Sequence, residues 1–199
     1  DSPGGVGSLE GYLRVAGTDR ETESMRPADL YGPFGNRGLA SYGKPATVFR
    51  ALRGLLGEEV FDGALREFTR RWAFKHPHPV DLFSTFEEVT GQDLDWYFYP
   101  WMYTTRVMDH SIDGVSVSED GRRVRVFLLD SGEIAMPVIM EFQVQGSEAV
   151  RHTAGQGEWR EGRMELEVEL PGPVTRILLD PDTVFPDVNR ADNEWVPGG

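Results

Sequence analysis

The chain of 199 residues is 39% hydrophobic and 11% aromatic, enough to bury a core in one or two domains and too apolar for a disordered polymer. A net charge of −13 at pH 7, with no basic stripe, argues against nucleic acid or an anionic membrane surface as a partner, since both reward clustered Lys and Arg. The absence of cysteine removes disulfides, thiolate catalysis and cysteine-ligated zinc together and leaves the redox compartment unread.

The chain opens on Asp1 in the Gly/Pro/Ser-rich stretch DSPGGVGSLEG, which has neither the basic nor the apolar region of a signal peptide and reads as the start of a piece excised from something longer. No apolar run approaches the roughly 18 to 20 residues that cross a bilayer, so no membrane contact is expected and the piece should be soluble. From residue 39, LASYGKPATVFRALRGLLG specifies a helix. Ser41 offers a cap, Pro45 is tolerated in a first helical turn, Val48, Phe49, Leu52, Leu55 and Leu56 recur at helical spacing, and Gly57 marks the stop. Tyr42 lies on the approach to that helix rather than on its apolar stripe, so packing alone does not explain it.

Further helical patterns follow in EEVFDGALREFTRRWAF, with Phe61, Leu65, Phe68 and Trp72 on one face, then in DLFSTFEEVTG and DLDWYFYPWMY, with Asp81 and Asp93 as expected N-caps and Gly91 as a stop. After residue 111 the apolar period changes from 3.6 to two. IDGVSVS, RRVRVFLLD, MPVIMEFQVQ, SEAVRHTA, RMELEVEL and VTRILLD read as short strands separated by turns such as SEDGR and LDSGE. Charge shifts at the same place: residues 1–110 carry 12 basic and 16 acidic side chains, and residues 111–199 carry 8 and 17. The expected organisation is α+β: a helical part at 1–110 and a small antiparallel β-sandwich with an extended tail at 111–199.

No complete active site is legible. His76 and His78 in KHPHPVD form an i, i+2 pair on a stiff segment near Asp81, but zinc normally needs at least three protein ligands, and a solvent-exposed loop is the better reading. His110 and His152 stand at a junction and in a strand with no ligand pattern around them. The adjacent pairs Glu58–Glu59 and Glu87–Glu88 do not both face one cleft and read as solvated surface.

Several motifs occur in a specific order. These are Tyr-x-Lys ahead of a helix (Tyr42, Lys44), Leu-Gly-x-x-x-Phe (Leu56, Gly57, Phe61), an aromatic-basic-x-Pro segment (Phe74, Lys75, Pro77), a helix-opening Asp81, and Gly-x-Asp-Leu followed by aromatics (Gly91, Asp93, Leu94, Trp96, Trp101). With them the run from Tyr42 to Thr105, 64 of the 199 residues, resembles the last helices of the catalytic domain in zinc metallopeptidases of the aminopeptidase N type, the gluzincins. Pro45 stands where many members have glycine, a departure also common among bacterial relatives. The β-rich end looks like the small sandwich domain that follows in bacterial members.

The resemblance implies that Tyr42 is the catalytic residue whose hydroxyl donates to the oxyanion formed when water attacks the scissile peptide carbonyl. A phenol, with an ordinary pKa of about 10, keeps its proton at working pH and can donate where negative charge develops. The family's H-E-x-x-H helix, its downstream Glu ligand and its Gly-x-Met-Glu-Asn strand for the substrate amino terminus are absent from this sequence. The expectation is therefore a carboxy-terminal portion of a zinc aminopeptidase that contributes Tyr42 but no metal ligand, binds no zinc itself and is inactive alone. Its partners would be the amino-terminal, zinc-bearing half of the same enzyme and a peptide substrate. The alternative is a noncatalytic binding or packing module of the same descent. Bacterial relatives of this layout are often exported or periplasmic, which is the only hint of compartment.

Overall fold

The computed structural model describes residues 9–31 and 37–198. The chain divides into two compact units, residues 1–105 and 106–199, meeting a little ahead of the change in apolar period.

The first unit is helical. It contains α1 (Leu9–Leu13), α2 (Lys44–Leu56), α3 (Glu58–Trp72), α4 (Pro79–Thr90) and α5 (Asp95–Tyr103), with a π-helical turn over Leu39–Gly43 running directly into α2. Gly57 separates α2 from α3 at φ 83°, a left-handed value that costs glycine nothing. Two expected caps act from different positions. Asp81 is the third residue of α4 rather than its N-cap, because the helix starts on Pro79, and its carboxylate reaches back to the His78 N–H at 2.7 Å. Asp93 lies one residue ahead of the N-cap Leu94 and accepts the Asp95 N–H at 2.9 Å, a side-chain turn leading into α5.

Aromatic residues fill the space between these helices. Phe61 and Phe86 meet with ring centroids 5.3 Å apart, and Phe83 stacks on Phe98 at 4.2 Å. Tyr97 is wholly buried, and its hydroxyl donates to the Val48 carbonyl at 2.6 Å, so α5 is bonded to α2 as well as packed on it.

The second unit is a sandwich of two antiparallel sheets. One has the order β1 (His110–Val117), β2 (Arg123–Asp130), β5 (Arg163–Glu169). The other has the order β4 (Val150–Ala154), β3 (Val138–Val144), β6 (Val174–Leu179), β7 (Glu194–Trp195). Alternation places Val124, Val126 and Leu128 of β2 and Met164, Leu166 and Val168 of β5 in one core with Val138, Met140 and Phe142 of β3. Their neighbours face water, where Arg125 of β2 meets Glu165 and Glu167 of β5 at 3.1 and 3.0 Å. In the turn between β1 and β2, Gly121 has φ +73°, and a Cβ there would stand 2.8 Å from Pro173, so both the turn and the neighbouring chain require glycine.

The last segment folds back onto this unit. Asp180, nearly inaccessible, accepts the Val184 and Phe185 N–H groups at 2.9 and 3.0 Å and the Arg190 guanidinium at 2.6 Å. The chain then returns as β7, two residues too short to show a period, pairing Trp195 with Ile177 of β6.

Candidate functional site

Tyr42 occupies the π-helical turn. Helical geometry is continuous over residues 37–56, so Ser41 lies inside the helix instead of capping it, and Pro45 comes after a turn that is already wound. A proline within a helix lacks an N–H and crowds the carbonyl four residues back. The turn ahead of Pro45 is widened accordingly: the Lys44 N–H bonds the Leu39 carbonyl, five residues back. This bulge holds Tyr42 out from the unit, 71% exposed. Its hydroxyl has no hydrogen bond to any described residue.

Two residues on, Lys44 points the opposite way and is 1% exposed. Its Nζ donates to Glu21 Oε1 at 2.6 Å and to the Thr104 carbonyl at 2.8 Å. Glu21, equally buried, also accepts the Gly17 N–H at 2.6 Å and the Tyr12 hydroxyl at 3.2 Å. Burial pulls the Lys44 ammonium below its ordinary pKa, against the pull of the Glu21 charge. Tyr12 is pushed well above the ordinary phenol range, first by burial and then by the Glu21 carboxylate beside it. The lysine of the Tyr-x-Lys pair is thus an anchor within the core. No sequence pattern marks Glu21 or Tyr12 as partners of Lys44, because they lie far from it along the chain and follow no period.

Beside the bulge lies a cleft of about 410 Å³ lined by Ser41, Pro45, Phe49, Phe68, His78 and Leu82 among others. An apolar cleft of about 530 Å³ shares Phe49, Phe68 and Leu82 with it and extends to Phe61 and Leu65. The apolar stripe of α3 is therefore covered only in part. Phe61 is buried, while Leu65 remains exposed.

The remaining candidates are dispersed. His76 and His78 are exposed on the segment before α4, and His152 is half-buried in β4. His110 is wholly buried; it accepts the Met136 N–H at 3.4 Å, packs on Trp159 at 4.5 Å, and is driven by burial to a pKa of about 3. Glu58 pairs with Arg53 and Glu88 with Arg71, as surface charges do. Among the described residues, the ligand-type atoms of Glu87, Asp93 and Asp95 lie within 4.8 Å of one another, an all-carboxylate group with two members exposed. That set suits hard cations rather than zinc, and the histidines take no part in it. The described residues therefore do not fit a zinc centre.

No family model matches the chain. It is 27% identical over 128 residues to "Probable aminopeptidase 1" of Sulfurisphaera tokodaii, covering 63% of this chain and 16% of that protein. It is 31% identical over 108 residues to "Aminopeptidase M1-D" of Oryza sativa subsp. japonica, covering 50% of this chain and 12% of that protein. The chain thus spans about a sixth or less of the length of these relatives. In fold it resembles the crystal structure of Legionella pneumophila aminopeptidase A in complex with aspartic acid, with a TM-score of 0.60 at 15% identity over 74% of this chain and 17% of that one. By sequence the chain is similar to aminopeptidases and its fold resembles that of part of one, which together support a carboxy-terminal part of an aminopeptidase.

Proposed function

We propose that the chain is the carboxy-terminal portion of a zinc-dependent, gluzincin-type aminopeptidase, in which Tyr42 supplies one hydrogen bond to the oxyanion that develops on the scissile carbonyl. The observation that carries this reading is the placement of Tyr42. A bulged helical turn presents its phenol to the outside with no acceptor among the described residues, next to a cleft, in a chain similar to aminopeptidases. A donor that is unengaged beforehand, and meets its acceptor only as charge builds there, lowers the barrier rather than the ground state. The metal ligands and the site for the substrate amino terminus belong, on this reading, to the part of the enzyme preceding Asp1, and this chain alone is inactive. The apolar clefts bounded by α2, α3 and α4 are the face against which that part packs, since Phe49, Phe68, Leu82 and Leu65 otherwise line open surface.

In the complete enzyme, Tyr42→Phe keeps the ring and removes the donor. It should lower kcat by roughly 10²-fold, with KM and metal content nearly unchanged. A variant with unaltered kcat overturns the assignment.

A further inference from the structure

Tyr42 has little of its own to hold it. Its side chain is mostly in solvent, its hydroxyl has no partner among the described residues, and the turn beneath it lacks the regular hydrogen-bond ladder because Pro45 contributes no N–H. Where its hydroxyl stands is therefore set by the main chain at Gly43 and Lys44. At that point the structure places a charged anchor. Lys44 is bonded through Nζ to Glu21 and to the carbonyl of Thr104, the residue that follows α5. Glu21 is in turn fixed by the Gly17 N–H and the Tyr12 hydroxyl, and the ammonium lies 5.9 Å from the centre of the Tyr12 ring. The foot of the bulge is thus tied to α1, to the segment after α1 and to the residue following α5.

Stability alone gives little reason for a buried ion pair, because taking both charges out of water offsets most of their attraction, and an apolar pair of similar size holds a core together as well. What an apolar pair lacks is direction. Four hydrogen bonds of 2.6 to 3.2 Å, converging on one ammonium and one carboxylate, fix a position as methyl groups sliding on one another do not.

We propose that Lys44 and Glu21 are positioning residues for the reaction: their buried pair sets the place of the π-helical turn and, through it, of the Tyr42 hydroxyl. The inference rests on the reading of Tyr42 as oxyanion donor, and neither Lys44 nor Glu21 touches substrate.

The test uses four variants of the complete enzyme: Tyr42→Phe, Glu21→Gln, the paired apolar replacement Lys44→Met/Glu21→Leu, and that pair combined with Tyr42→Phe. Glu21→Gln, which weakens the pair, is expected to lower kcat about 10-fold with KM within about threefold of wild type, as for a misplaced but intact donor. The paired replacement leaves no unpaired charge, so its melting temperature should return close to wild type while kcat stays roughly 10- to 100-fold low. Added to Tyr42→Phe, it should change kcat by less than about twofold, because the donor it positions is already gone. Recovery of kcat together with the melting temperature, or a full multiplicative loss on top of Tyr42→Phe, would show the pair to be structural only. Tyr42→Phe with wild-type kcat would instead remove the reading of Tyr42 itself, whatever the other variants do. If the paired replacement fails to fold, Glu21→Gln with and without Tyr42→Phe gives the same additivity test.

Discussion

In the sandwich, β2, β3 and β5 turn their apolar side chains onto one shared core and leave Arg and Glu outside, whereas the helical unit does nearly the reverse at its α2–α4 face. Phe49, Phe68, Leu65 and Leu82 line open clefts there, while elsewhere in the unit an ion pair is buried beside Tyr12 of α1 and the residue following α5. Hydrophobic burial accounts for the core between the two sheets, and the buried Asp180 with its Arg190 partner belongs to the segment after β6. The helical unit leaves apolar side chains of α2, α3 and α4 lining clefts and buries a hydrogen-bonded ion pair at Lys44 and Glu21.

That contrast can be broken at several levels. The largest effect should come from the closed core: Phe142→Ala, at a fully buried position of β3, should cost about 3–5 kcal/mol in equilibrium unfolding of the sandwich. Second comes pH. Asp130 and Asp187 are raised above the ordinary aspartate value to about 6, in both cases chiefly by burial, with the Asp109 charge adding to it. The folded sandwich thus holds these protons more tightly than the unfolded chain does. Their contribution is full below the unfolded pKa, is lost as pH rises through about 6, and stays lost above it. The expected loss is roughly 2 kcal/mol for each of the two groups between pH 4 and pH 7, read from denaturant midpoints, and Asp187→Asn should remove about half of the total. Unchanged pH dependence in that variant would show that the carboxylate is not the group responsible.

Phe68→Ala, in the cleft, should cost about 1 kcal/mol or less in this chain, because little covers the ring. In the complete enzyme the same change should cost more if that face is packed. A loss as large as that of Phe142→Ala in the chain alone would abolish the difference between the two units. The smallest effect belongs to Arg125→Ala, whose exposed pairs with Glu165 and Glu167 should contribute less than about 0.5 kcal/mol in a double-mutant cycle.

Legibility in the sequence follows the same division. Val124, Val126 and Leu128 announce β2 because a sheet with one wet face forces strict alternation, and the helices of the first unit announce themselves through stripes ended by Gly57 and Gly91. β7 was not legible, since two residues carry no period. Ser41 reads as a cap only if the helix starts after it; the turn over Leu39–Gly43 starts earlier and overrides the local signal. Asp81 and Asp93 carry the right chemistry for helix starts but act one to three residues away from the N-cap, an error typical of boundaries. Of the candidate site, Tyr42 could be singled out because its position was unexplained by packing. Its supports Glu21 and Tyr12 could not, because a buried ion pair spanning three segments is a property of tertiary structure.

A π-helical turn is an α-helix into which one residue has been inserted. Deleting a single residue between Leu39 and Gly43 would return the turn to α-helical spacing, save for the bond that Pro45 cannot donate, and since each residue of an α-helix advances about 100°, the side chains before the deletion would swing by that angle relative to those after it. Lys44 could keep its grip on Glu21 while Tyr42, or whatever residue then took its place, faced another direction. The bulge therefore makes the position of this phenol a matter of chain length as much as of residue identity, and an alignment that closes the gap at this turn would match the letters while losing the geometry.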